Sequence, residues 1–417
     1  MTDSPRDSRH ETAEDTATVL LCGARLLDGR TVDVRLSGPR IEAVGTAGSL
    51  APAAGRGGAA PSPQGSRIDL RGYLLLPAPA EPHAHLDLAL TAGGPPSGDP
   101  EDVQRRAVEA ALLQLGHGAT AVRSHVRIGD VQGLQDLEAV LAARRSLRGL
   151  VDVQVVAAPR LLTGTAGADG YAMLRDALKM GATAAGGCPD LDPDPSGYAE
   201  AVLSLAAEFG VPVDLHTAAD DPARLARLAA MAGGMRPGVV LGPCHGLGGL
   251  PAQVVATAAE RLAAAGVTVA ALPQGGCAVL GRGGVAPVRT LRAAGVRVCA
   301  GSGALGDLSN PVGRGDPMEA AFLLASHGAC GPVRSYDLIS GQARAALGLP
   351  DVRVEAGFPA ELLAVRGESV AAVLSLGYSR IVIHRGRVVS RTSAVREYCD
   401  SAGETPLDLP RQSHREA

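Results

Sequence analysis

Between residues 73 and 303, eight short apolar runs alternate with Ala- and Leu-rich segments of helical period. The runs are YLLLPAPA, ATAVRSHV, VDVQVVAAP, ATAAGGC, VPVDLHTA, GVVLGPCHG, GVTVAALP and VRVCAGSG. Helical candidates such as LEAVLAARRSL and YAEAVLSLAAEFG follow them. Repeated strand–helix alternation over roughly 270 residues is the pattern of a parallel α/β fold, and eight units favour a closed barrel. The expected fold class is α/β, a (β/α)8 TIM-type barrel over residues 76–345.

The ends of the chain read differently. ATVLLCGARLLDG and RTVDVRLSGPRIEAVG alternate like hairpin strands and carry Asp-Gly or Ser-Gly turns. The same style returns near residue 350 in AELLAVRG and RIVIHRGRVVSRT. Residues 17–75 and 346–398 are therefore expected to form one small β-sandwich-like domain built from both chain ends. The stretch APAAGRGGAAPSPQGS (51–66) reads as a flexible loop by composition. Residues 1–16 and 399–417 read as disordered tails.

Composition bears on partners and compartment. A 417-residue chain with 20% charged residues and a net charge of −4 carries no electrostatic footprint for nucleic acid or an anionic membrane. The opening MTDSPRDSRHETAEDT is too polar for the apolar core of a signal peptide. No stretch approaches the ~18 uninterrupted apolar residues of a membrane span. Seven cysteines with no CxxC pair read as reduced, mostly buried thiols, and the expected compartment is the cytoplasm. With 2% aromatics and no Trp, the core has to be built from Ala, Val and Leu.

The histidines carry the chemistry. Of ten, His10 and His414 lie in the tails, His384 in the returning β domain, and His117 and His327 in helical or capping segments. The other five, His83, His85, His125, His216 and His245, fall at the carboxyl ends of predicted barrel strands. Barrels of this kind build their active sites at that end. One histidine there is more often structural; five at one rim are hard to assign to packing alone. Imidazole nitrogen suits Zn²⁺ or Fe²⁺, and a mononuclear site needs three or four ligands converging from different strands. The set predicts one divalent metal ion, Zn or Fe.

The ordered series PHAHLD, VRSHV, VDLHTAADD, GPCHG and GVRVCAGSGALGDLSNPVG resembles the amidohydrolase superfamily, closest to its cytosine deaminase branch. The split β domain, ending in VEAGFPAELLAV, fits the same superfamily, and the resemblance runs from about residue 17 to 395. It implies metal ligands at His83, His85 and His216. It also implies that His245 orients the metal-bound water or the substrate, and that His125 lines the substrate pocket. In that family the metal activates water for attack on a trigonal carbon bonded to nitrogen, and a carboxylate shuttles protons to the leaving group. Binuclear members bridge their metals with a carbamylated lysine on a barrel strand. The only lysine here, Lys179, falls on a predicted helix, which leaves the mononuclear type.

Three positions depart from the family pattern. Ala219 stands where the proton-shuttling Glu is expected, Gly303 (with Ala304 beside it) where a metal-binding Asp is expected, and Arg160 where a substrate-holding Gln is expected. Losing a general acid or base typically costs roughly 10²–10⁴ in rate. Asp220 is the candidate replacement as a catalytic group; its other reading is a solvated turn or helix cap. Asp307 is a further neighbour of the altered rim. Asp87 reads as a partner of a ligating histidine or as a cap, and Asp190 and Asp192 as a solvated loop. Arg160 either pairs with a rim carboxylate or binds an anionic group on a ligand.

Three functional readings follow. The preferred one is a metal-dependent hydrolase of a non-peptide C–N bond in a small cyclic amide, amidine or nucleobase-like molecule, with a non-standard proton path. The others are a catalytically silent relative, and a metal-dependent decarboxylase, isomerase or cyclase on the same barrel. The expected partner is a small-molecule substrate or ligand, anionic in one variant, rather than nucleic acid or membrane. A homo-oligomer is admitted by analogy alone.

Overall fold

The amino-terminal hairpins form where alternation places them. Strands β1 (Thr18–Arg25), β2 (Thr31–Ser37) and β3 (Arg40–Thr46) pair antiparallel, while β4 (Ser66–Asp69) and β5 (Tyr73–Pro77) run parallel to β1. This computed structural model describes residues 18–50, 66–94, 97–129, 132–275, 279–280 and 283–394. Both predicted tails, nearly all of the low-complexity loop, Cys277 and Cys399 lie outside the described residues.

Past Pro77 the chain enters a second sheet. Its strands are β6 (Ala80–Ala84), β7 (Ala121–Ile128), β8 (Asp152–Pro159), β9 (Ala184–Gly187), β10 (Val213–Thr217), β11 (Val239–Pro243), β12 (Thr268–Ala271) and β13 (Arg297–Ala300). They lie side by side in chain order, and every pair is parallel. Each is followed by a helix: α1 (Pro100–Gly116), α2 (Gln135–Ser146), α3 (Gly164–Met180), α4 (Pro195–Phe209), α5 (Pro222–Ala232), α6 (Ala252–Ala265), α7 (Val288–Ala293) and α8 (Pro317–Ser326). This is the (β/α)8 barrel. The chain then returns to the first sheet through β14 (Leu362–Arg366), β15 (Arg380–His384) and β16 (Arg387–Thr392). The two ends thus build one connected sheet around its own core, which includes Leu21, Leu36, Ile41, Leu75, Leu362 and Ile383.

One predicted strand divides. YLLLPAPA is two pieces: Tyr73–Pro77 pairs with β14 in the outer sheet, and the barrel begins at Ala80. Pro77 and Pro79 have no N–H to offer a continuous ladder, so the chain changes sheets there. His83 therefore lies within the first barrel strand, and His85 just beyond it.

Local chemistry sets the helix starts. Asp99, Asp194, Asp221 and Asp316 each accept first-turn backbone N–H bonds, and a proline follows each of them at the first helical position. Small side chains set the packing. Ala80, Ala121, Val240, Ala270 and Cys299 plug the amino-terminal end of the barrel together with Ala343 and Leu347. Among the described residues no helix is long and apolar enough to cross a membrane. Cys22, Cys244 and Cys299 are buried free thiols.

An ionic cluster joins the outer sheet to the barrel. Buried His384 places Nδ1 at 2.8 Å from Glu361 Oε2, and the Arg385 backbone N–H donates to Glu361 Oε1 at 3.0 Å. Arg385 Nη2 reaches Asp152, the first residue of β8, at 2.6 Å. Burial raises the Glu361 carboxyl, but the hydrogen bond and charge of His384 outweigh it and hold it below its ordinary value. Its contribution to stability is therefore complete above the unfolded carboxyl range, near pH 4.3, and is lost as pH falls through the depressed value. Glu361→Gln is expected to cost about 1–3 kcal/mol in urea unfolding at pH 7. The gap to the parent should close as the pH falls below about 4.

Candidate metal centre

Period-two alternation along each strand brings four imidazoles to one point inside the carboxyl end of the barrel. His83 comes from β6, His85 from the residue after it, His125 from β7 and His216 from β10. All four are buried, and one nitrogen from each lies within 4.8 Å of the others. Ring centroids are 4.3 Å apart for His83–His125, 4.4 Å for His125–His216 and 4.6 Å for His83–His216. The Nε2 atoms of His85 and His216 stand 3.2 Å apart. Two nitrogens on a tetrahedral Zn²⁺ with ~2.0–2.1 Å bonds are about 3.3 Å apart. Gly242, opposite His216 on β11, keeps this space open. A Cβ there would sit 3.0 Å from the Ala270 carbonyl oxygen and 3.5 Å from His83 Nδ1.

The electrostatics suit a cation. Burial, reinforced by neighbouring positive charge, holds His83, His85 and His216 well below the ordinary histidine range. They are neutral at pH 7 and present lone pairs. Among the described residues, neither ring nitrogen of His125 makes a hydrogen bond. Buried nitrogens of that kind are costly in a polypeptide alone. No described carboxylate or thiol joins the group. A donor set of imidazole only suits Zn²⁺ or Fe²⁺ and disfavours Mg²⁺ or Ca²⁺, which prefer oxygen. The residues fit the metal.

Beneath the imidazoles lies a buried ion pair. Arg123 Nη1 donates to Asp214 Oδ2 at 3.0 Å, and Arg123 also donates to Gln154 Oε1 at 2.8 and 3.0 Å. Asp214 Oδ1 lies 3.2 Å from His125 Nε2. These two atoms make no hydrogen bond in this geometry, so the carboxylate acts on the ring through its charge. At the seam of the barrel, β13 and β6 share no ladder among the described residues. Glu81 spans it instead, accepting from the Ser302 N–H at 2.8 Å, Ser302 Oγ at 2.6 Å and the His83 N–H at 3.0 Å. Burial pushes its carboxyl up to about 7, against the downward pull of those bonds. A Cβ at position 301 would collide with Glu81, so the seam requires Gly301.

The structure brings together His83, His85 and His216 and adds His125, which the resemblance placed on the pocket wall. It leaves His245 outside this group. That residue heads a short 3-10 turn, half-buried, with Gly283 packed flush on its ring. Asp220 is exposed and lines a narrow cleft with Asp190, Asp221 and Arg224, and none of the four histidines lines that cleft. Ala219 lines the same cleft, buried in the apolar layer with Leu225 and Leu228, at φ +58°. Gly303 has φ +77°. Asp307 caps its own turn, accepting from Ser309 and Asn310. Asp87 accepts from the Arg127 N–H at 3.3 Å, and burial pushes its carboxyl up to about 6. Lys179 is exposed on α3, paired with Asp176.

Asp190 and Asp192 correct the solvated-loop reading. Asp190 accepts from Thr217 Oγ1 at 3.0 Å and from the Ala218 N–H at 2.8 Å, which pins the loop after His216. Asp192 is buried and accepts from the N–H groups of Leu162, Thr163 and Asp194 and from the Thr163 hydroxyl. The backbone N–H groups of Ala218, Leu162 and Thr163, 28 to 30 residues away in sequence, are the donors that local pattern could not foresee.

A cavity of about 250 Å³ opens beside the cluster, walled by His216, Arg127, Asp136, Arg160, Cys188 and Leu191 among others. Arg160 therefore does stand on a wall shared with a cluster histidine.

Residues 90–389 match the amidohydrolase family. An N-isopropylammelide isopropyl amidohydrolase of Pseudomonas sp. (strain ADP) is 29% identical over 178 residues, 36% of this chain and less than half (43%) of that relative. A pterin deaminase of Rhizobium rhizogenes is 24% identical over 78% of this chain and 83% of its own. Among solved structures, N-isopropylammelide isopropylaminohydrolase from Burkholderia multivorans superposes with a TM-score of 0.77 and 25% identity, covering 90% of this chain and 99% of that one. The 5-methylcytosine deaminase of Klebsiella pneumoniae has the same fold, with a TM-score of 0.76 and 24% identity over 91% of this chain and 100% of its own. With the barrel, the imidazole cluster and this match in hand, the chain belongs to the amidohydrolase family, near the cytosine deaminase branch of its superfamily.

Proposed function

We propose that the protein is a metal-dependent hydrolase of a non-peptide C–N bond in a small cyclic amide, amidine or nucleobase-like molecule. The observation that carries this reading is the convergence of four buried imidazoles beside an open cavity. His83, His85 and His216 would hold one divalent ion, Zn or Fe, with His125 as a fourth donor steadied by Asp214. Bound there, the ion supplies Lewis acidity that activates water toward a trigonal carbon attached to nitrogen. Typical ligand pockets of about 300–1,000 Å³ hold drug-sized molecules, so this smaller cavity suits a single ring. The names of the relatives, which include an ammelide amidohydrolase and a pterin deaminase, support the same bond type.

The proton path in this reading departs from the family pattern. With Ala219 and Gly303 unable to carry a proton, we assign it to His245, backed by Asp220. The turns bearing them pack together: the Gly246 N–H donates to the Ala218 carbonyl at 2.7 Å, and Gly246 lies against the Asp220 Cβ. A second reading, Lewis-acid catalysis of a decarboxylation or isomerisation, is favoured by the lack of a described carboxylate in the cluster.

The test is incubation of metal-loaded protein with amino-substituted pyrimidines and triazines, following ammonia or amine release. Release that is lost in His216→Ala by about 10²-fold or more is the expected result. Carbon dioxide or an isomer in place of amine would transfer the assignment to the second reading.

A further inference from the structure

We propose that Asp136 is a substrate-binding residue, its carboxylate accepting N–H bonds from an amino-substituted ring seated in the cavity beside the imidazole cluster. The proposal rests on the metal-dependent reading above and adds to it the group that recognises the ring's amine.

The placement follows from how β7 ends. The strand stops at Ile128, and reciprocal backbone bonds of 2.9 and 3.0 Å between Gly129 and Gly133 fold the chain back. These two residues have φ of +101° and +60°, which glycine adopts without steric penalty. Helix α2 then starts at Gln135, and Asp136 in its first turn lines the cavity that His216 also borders. One space is thus bordered by a ligand of the ion site and by a carboxylate.

That carboxylate is costly as it stands. Asp136 is 7% exposed, yet among the described residues no hydrogen bond or ion pair reaches it. An acid in the first turn gains from the helix dipole, but the gain needs no burial: Glu138, in the same turn, takes it while exposed. The guanidiniums whose charge reaches Asp136 are those of Arg127 and Arg106, and both are engaged elsewhere. Arg127 Nε lies 3.6 Å from Asp87 Oδ2. Arg106 donates to Asp102 at 2.9 Å and to the carbonyls of Asp87 and Ala89 at 3.0 and 2.8 Å. Burial raises the Asp136 carboxyl above its ordinary value, and the two charges offset only part of that.

A buried carboxylate without donors gains from a ligand that supplies them, because charge-assisted bonds then replace its lost hydration. When ionised it accepts only, so the complementary face of the ligand is N–H. An exocyclic amine next to a ring N–H presents two parallel donors to its two oxygens. A cyclic amide without that amine offers one donor beside a carbonyl oxygen, which the carboxylate repels. Among the ring classes named above, Asp136 therefore selects the amidine type.

The test is titration calorimetry on the metal-loaded full-length chain with two rings of the same size. Isocytosine carries a 2-amino group next to a ring N–H; in 2-methylpyrimidin-4-one a methyl replaces that amine. Ammonia release is followed in parallel, and KM replaces the binding constant for a ring that is consumed. Isocytosine is expected to bind at least about tenfold more tightly. Asp136→Asn should reduce that preference to about threefold or less, with metal content and urea midpoint unchanged, because its amide sets an N–H against the ligand's amine. Asp136→Ser gives the same comparison where the Asn variant fails to fold. Equal affinities in the parent would overturn the proposal, and so would a preference that survives in the variant. If neither ring binds, the ring reading above fails, and benzamidine, which carries the N–H pair on an apolar ring, decides the site separately. Benzamidine binding that is lost in Asp136→Asn sustains the site; binding that persists there, or none in the parent, ends it.

Discussion

Replacing His216 with alanine is expected to abolish stoichiometric metal retention and to weaken metal affinity by more than about 100-fold. That is the upper end of what the loss of a partner behind a ligand costs, and His216 is placed here as a ligand itself. It is fully buried at the carboxyl end of β10, with Nε2 3.2 Å from His85 Nε2 and its ring among those of His83, His85 and His125. Competition with a chromophoric chelator measures the affinity, and elemental analysis measures the retained ion. His245→Ala is the matched control. Because His245 stands outside the cluster, that variant should keep its metal while losing turnover. If His216→Ala bound metal as tightly as the parent, the ion would have to be held elsewhere.

The second large effect is on stability. Arg123→Met is expected to destabilise the fold by about 3–5 kcal/mol, the usual consequence of leaving one partner of a buried ion pair without the other. Asp214 is fully buried, and its Oδ2 accepts from Arg123 at 3.0 Å, so the variant strands a carboxylate in the barrel interior. The double variant Arg123→Met with Asp214→Leu should recover much of the loss, since apolar replacement of a whole buried pair is often neutral or stabilising. Urea unfolding of the parent, both single variants and the double variant gives the cycle. A single variant within about 0.5 kcal/mol of the parent would mean that the pair contributes nothing to stability.

What could be read from the sequence has a physical pattern. Six of the eight barrel strands fall inside their apolar runs and β7 overruns its own by two residues, because a strand buried on both faces must be apolar along most of its length. The first run did not stay whole because two prolines interrupt a ladder that apolarity alone would continue. Composition foretold an aliphatic core: Tyr198 and Tyr336 are the aromatics buried among the described residues. The histidine rim was legible for the same reason as the strands, since a strand end positions its residues whatever the side chain. That His125 joins the ligand group was less so. It depends on the register of β7 against β6, where the ladder shifts between Glu81 and Ala84, and on Asp214 lying behind the ring. Arg123 and Asp214 are 91 residues apart in sequence, so no local pattern marks them as a pair. Their one shared signal is that each stands two residues before a cluster histidine, in VRSHV and VDLHT. Asp190 and Asp192 misled because polarity is the same for a solvated carboxylate and for one that accepts distant backbone donors.

The most direct test of a metal-centred barrel is the ion content of the full-length protein purified without chelators from cells supplied with zinc and iron. The account predicts about one Zn or Fe per chain, held by imidazole alone. Protein that folds to the same barrel yet carries no ion, and takes none up when titrated, would contradict it.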